Sequence, residues 1–79
     1  MKTYVLCNWH PDMHAGTCIS SLDAAGVAYN PAPEHALRFK TVEEAIAFRS
    51  ANVSQLTYGA HKYRVHELLP DGRLVDVEP

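Results

Sequence analysis

Lys40-Thr41-Val42-Glu43-Glu44-Ala45-Ile46-Ala47-Phe48-Arg49-Ser50-Ala51-Asn52 is the stretch on which the fold turns. It opens with a Thr-x-x-Glu capping box, in which Thr41 and Glu44 satisfy two of the amides that a helix start leaves without partners. Glu43 and Glu44 also put negative charge at the positive end of the helix dipole. The pattern predicts a helix from Val42 to Ala51, with Asn52 as its stop. Val42, Ala45 and Ile46, flanked by Phe48, form its buried side. Arg49 falls inside that stripe at about 100° per residue, so it must reach past the helix end or meet an acid.

Upstream, Asn30-Pro31-Ala32-Pro33 cannot continue a central strand, because each proline removes a backbone donor and forces its predecessor into an extended conformation. The chain must cross over there. Before it, Thr3 to Cys7 alternates, with Tyr4 and Leu6 on one side and Thr3, Val5 and Cys7 on the other, which predicts a first strand. Asn8 to Gly16 has loop chemistry, and Thr17 to Leu22 reads as a second strand. Asp23-Ala24-Ala25-Gly26 then turns into a short third strand, Val27 to Tyr29.

Downstream of the helix, Leu56 and Tyr58 alternate, but Ser54, Gly59 and Ala60 interrupt the pattern, and Val53 to Ala60 has no assignment. His61 to Leu68 alternates cleanly, with Tyr63 and Val65 inward and Lys62, Arg64 and His66 outward. Pro70-Asp71-Gly72 is a turn, since proline sets its first corner and glycine takes the positive φ. Arg73 to Val77 follows as an edge strand. The order implies an α+β fold, an antiparallel sheet of four or five strands with a single helix packed on one face.

Seventy-nine residues, 47% hydrophobic and 20% charged, describe a single domain spanning residues 1–79. A chain of this size buries roughly 60–65% of the surface its unfolded form exposes, so deep catalytic clefts are hard to build. Nine acids against seven bases give a formal charge of -2, too negative for a dedicated binder of nucleic-acid backbone. The apolar run near Met1 is too short for a signal-peptide core, and no stretch is long enough to span a bilayer. The expectations are no membrane association, a cytoplasmic location and, in that reducing compartment, no structural disulfide between Cys7 and Cys18.

Three constellations bear on chemistry. Cys7, His10, His14 and Cys18 are four ligand types suited to tetrahedral zinc, and a metal there would tie the hairpin shut. The plainer alternative is two packed cysteines, each a small hydrophobe, and two solvated histidines, with no cofactor. A cysteine with a histidine base is the second, but neither Cys7 nor Cys18 sits in a nucleophile motif, and the expectation is no enzyme. The third is the outward row of Lys62, Arg64 and His66, which would follow a phosphate backbone if Arg73 or Lys2 lay alongside. Such rows are also the ordinary solvated side of a half-buried strand.

Interaction residues are the remaining candidates. Trp9, in a polar loop with Asp12 and His14, either folds back over the sheet or projects as an interface anchor. Glu43 and Glu44, exposed at the helix start, would meet a basic partner surface, although capping and solubility explain them too.

Tyr4-Val5-Leu6, Gly16-Thr17-Cys18-Ile19-Ser20, the tyrosine and proline crossover, Ala36 to Ala45 and Tyr63 to Leu68 together resemble small α+β proteins of phages and mobile elements. The similarity covers most of the chain through structural motifs. Some proteins of that type are anti-CRISPR inhibitors. The resemblance implies a non-enzymatic protein-binding module that occludes a host protein complex, a CRISPR effector, in the host cytoplasm. It transfers no binding residue. A monomer and a homodimer paired through the C-terminal edge strand are both compatible with it.

Overall fold

Period-two alternation in Tyr4–Cys7 and Tyr63–Leu68, and helical periodicity between them, set the elements of this chain. The structure is a computed structural model and describes residues 2–10, 15–23, 26–52 and 63–78. Its elements are β1 (Tyr4–His10), β2 (Ala15–Asp23), β3 (Gly26–Asn30), α1 (Val42–Ala51), β4 (Arg64–Leu68) and β5 (Leu74–Asp76). The strands form one antiparallel sheet in the order β3-β2-β1-β4-β5, and α1 packs over β1 and β4. This is the α+β architecture the pattern predicts, with five strands.

The helix starts and ends where its sequence dictates. Glu44 N donates to Thr41 Oγ1 at 3.1 Å, while the Glu44 carboxylate accepts from Lys40 N at 3.1 Å, one residue before the amide of an ideal capping box. Asn52 closes the far end by donating to Phe48 O. Arg49 meets the acid its position demands: Nη1 donates to Glu78 Oε1 at 2.6 Å and to Tyr63 O at 2.9 Å. The same Glu78 oxygen accepts from Val65 N at 3.0 Å, so one carboxylate ties the C-terminal end to α1 and β4.

Both faces of the sheet carry an apolar cluster. Under α1, Leu6, Ile19, Ala45, Tyr63 and Val65 are fully buried, with Val42, Ile46 and Phe48 of the helix around them. Tyr29 stacks on Tyr63, and Phe39 packs on Phe48 at a centroid distance of 5.3 Å. On the opposite face, Val5, Cys7, Cys18 and Ala36 are buried, with Trp9, Leu68 and Leu74 packed against them.

The crossover links these faces. Asn30 Oδ1 accepts from Ala32 N at 2.8 Å, and Pro33–His35 forms a 3-10 turn. β2 shifts its register against β3 between Ile19 and Ser21, and the pairing of β1 with β2 ends at Cys7 and Cys18, where those two strands part. The crossover bonds to both at that point: Leu37 N donates to Ile19 O at 2.9 Å, and Phe39 and Tyr4 exchange both backbone bonds. Ala36 thus joins the second cluster while Phe39, three residues on, joins the first.

Four expectations need correction. Cys7 and Cys18 are core residues, but they are joined as a disulfide. The register places them opposite one another with Cα atoms 4.0 Å apart, the close spacing of a pair without mutual backbone bonds, and their side chains share a face. Next, the residues read as a long loop after Cys7 are largely strand: β1 continues to His10 and β2 begins at Ala15. Gly16, with φ of +146°, makes that ladder feasible by letting the backbones of the two strands approach closely. His66 does not face solvent. It is 3% exposed, opposite Val5 on the disulfide face, because that face is covered too. Arg64 is half-buried and engaged with Asp76 and Glu78 rather than free.

The turn read at Pro70-Asp71-Gly72 is present. Gly72 has φ of +90°, and its N–H donates to Leu69 O. Val53 to Lys62, Pro11 to His14 and the Ala24-Ala25 turn lie outside the described residues.

Candidate functional site

The second face of the sheet gathers most of the residues singled out for chemistry, because Cys7, Trp9, Cys18, Arg64 and His66 have the same strand parity relative to the ladder. Trp9 lies on β1, not in a loop, and is half-buried against the disulfide cluster. Asp12 and His14, its expected neighbours at an interface, lie outside the described residues.

Of the four candidate zinc ligands, Cys7 and Cys18 have their sulfurs bonded to each other, which leaves neither thiolate to bind metal or attack a substrate. His10 contributes its backbone to β1, and His14 is not among the described residues. Among the described residues, no three His, Cys, Asp or Glu side chains converge on one point.

The described members of the cationic row, Arg64 and His66, are engaged within the fold. Arg64 Nε donates to Asp76 Oδ2 at 2.6 Å, and Nη2 reaches Asp76 Oδ1 and Glu78 O. The Asp76 contacts hold the guanidinium pKa above its ordinary value. Arg73 is similarly paired with Asp71 across the turn. Lys62 lies outside the described residues, and Lys2 is exposed beside the β4-β5 turn rather than along the row.

His66 Nδ1 donates to Arg64 O at 2.9 Å. Burial pushes this imidazole below its ordinary pKa, opposed by that hydrogen bond and by the charges of Asp76 and Glu78, and reinforced by the Arg64 guanidinium. The unfolded chain therefore binds a proton more readily than the folded one. The stability from neutral His66 is complete above about pH 6.5 and falls as the pH drops through the lower folded value. Asp76 and Glu78 behave separately, since their folded values are depressed and their contribution is lost only below about pH 4.5. Urea titrations should show stability declining as the pH falls below about 6.5, and His66→Gln should flatten that limb alone. An unchanged slope in the variant would assign the pH dependence elsewhere.

Glu43 and Glu44 are exposed as expected, but they differ. Glu44 is committed to the Lys40 amide, whereas the Glu43 carboxylate holds no partner among the described residues.

A cleft formed by residues distant in sequence was not legible. Lys2, Thr3, Glu34, Arg38, Glu67, Leu68, Leu69, Pro70 and Gly72 enclose about 270 Å³ where the start of β1, the end of β4, the β4-β5 turn and the 3-10 turn meet. No local motif marks them, since their proximity depends on the sheet order and on the crossover bonds at Ile19 and Tyr4.

Among the described residues no helix is long and apolar enough to cross a membrane. Comparison of the chain with family models, with characterised proteins and with solved structures finds no match.

Proposed function

We propose that this protein is a non-enzymatic protein-binding module that acts by occluding a surface of its partner. The partner is a CRISPR effector complex, the class its resemblance to small phage-type proteins implies.

The observation that carries the reading is how the charges divide. Asp71, Asp76, Glu78 and Glu44 are each bonded within the fold. Lys2, Glu34, Glu43 and Glu67 hold no side-chain partner among the described residues and lie exposed or half-exposed on a cross-linked scaffold. Such charges steer and register a protein partner at little cost to the fold. An interface of about 800 Å² per partner would cover a modest share of the 4972 Å² surface, enough to include one of these groups.

The test is target-DNA binding by a purified CRISPR effector complex, measured with increasing amounts of this protein. Loss of DNA binding at stoichiometric addition, relieved by Glu43→Lys, is the expected result. Full DNA binding in large molar excess, with no co-elution of protein and complex, would overturn the inhibitor reading.

A further inference from the structure

The cleft beside Lys2 gathers charged side chains of both signs. Two bases, Lys2 and Arg38, and two acids, Glu34 and Glu67, stand around walls supplied by Leu68, Leu69 and Pro70. Among the described residues none of the four joins an ion pair, although the fold forms Arg49–Glu78, Arg64–Asp76 and Arg73–Asp71 elsewhere. Among the described residues the side-chain bond from this group is from Arg38 Nη2 to the Glu34 carbonyl oxygen at 3.5 Å, which involves neither the Glu34 carboxylate nor most of the guanidinium donors.

The chemistry of the occupant follows. A rim of one sign would take a simple ion, but here a lone anion is repelled by the acids as a lone cation is by the bases. A polyanion such as nucleic acid would desolvate both carboxylates without compensating them. A ligand carrying both signs can pair with all four groups, and the apolar wall accepts a hydrocarbon side chain between them. The volume is just below the roughly 300–1,000 Å³ of ordinary small-molecule pockets, the scale of a side chain or two rather than a nucleotide cofactor. The backbone around the cleft is held in place: Leu68 N donates to Thr3 O at 2.8 Å, and the turn is closed by two bonds between Leu69 and its neighbours Gly72 and Arg73. The site is therefore preformed, which lowers the ordering cost of binding.

We infer that this cleft docks an extended segment of a partner protein in which an apolar side chain is flanked by a basic and an acidic residue. The inference rests on the protein-binding reading above and assigns it a contact point distinct from Trp9 and the helix start.

Selection of a random peptide phage library on the immobilised full chain tests it, with enriched peptides then measured by titration against three variants. The double exchange Glu34→Arg with Arg38→Glu preserves net charge and alters two exposed side chains, so its thermal midpoint should match the wild type. Enriched peptides should carry the basic, apolar, acidic pattern and bind that double variant at least about tenfold more weakly. Peptides that bind it equally well but lose affinity for Trp9→Ala or Glu43→Lys would overturn the cleft while leaving the module reading intact. No enrichment on the wild type would count against the module reading itself, and the cleft assignment would fall with it.

Discussion

Replacing Cys7 and Cys18 together by alanine is expected to cost about 3 kcal/mol of folding stability, from the loop-closure entropy the bridge removes from the unfolded chain. The two residues are 11 apart in sequence, so the cross-link closes a short loop, and its effect comes from restricting the unfolded hairpin. The substitutions also remove two side chains that are 1% and 0% exposed at the centre of the second cluster, which adds a packing loss of the same sign. For a domain of this size, such a change lowers the thermal midpoint by more than about 10 °C. Circular dichroism melts of the two proteins decide it. A variant melting within a few degrees of the wild type would mean that the apolar clusters hold the β1-β2 pair without the bridge. The bond also alters the reading of compartment. In a reducing cytosol it would have to persist through burial, since attack by a thiolate requires access to a sulfur.

Gly16→Ala is expected to be as damaging by a different route. Gly16 pairs with Trp9 across the ladder and has φ of +146°, a conformation that side chains with a Cβ rarely adopt. An added Cβ would collide with the carbonyl oxygen of Asn8 and lie 2.8 Å from Trp9 Cα. Those atoms are backbone in a hydrogen-bonded strand, so relief requires the β1-β2 ladder to open where Trp9 packs. Strain and lost pairing together should cost about 3 kcal/mol. Gly26→Ala is the internal control. Its φ is +119°, but among the described residues, its chain neighbours aside, no heavy atom lies within 4 Å of the new Cβ, so backbone strain of about 1 kcal/mol is the expected cost. Equal melting temperatures for the two variants would show that the close approach at Gly16 is not what sets its cost.

Much of the fold was legible because its signals close over a few residues. Thr41 and Glu44 satisfy each other's neighbourhood within one helical turn, Asn52 reaches only to Phe48, and Gly72 closes its own turn. The need of Arg49 for an acid was likewise visible from helical spacing, whereas the choice of Glu78 was not, since 29 residues separate them. Prolines at 31 and 33 announced a crossover, but not that it would bond to both diverging strands.

What the amino-acid sequence determined by itself was the kind and order of elements, through alternation, capping and turn chemistry, each a short-range preference. Only the tertiary structure decided which residues meet. Cys7 faces Cys18 because of hairpin register, and a slip of one residue would send their side chains to opposite faces. His66 alternates like a solvent residue, yet it is buried because the sheet carries a cluster on each side. Lys2, Glu34, Arg38 and Glu67 share a cleft because the strand order and the crossover bring three distant segments to one corner. A two-residue period can announce a strand, but it cannot say what will lie across the strand's other face. That depends on contacts between distant segments, whose closure entropy is offset only when the whole sheet forms.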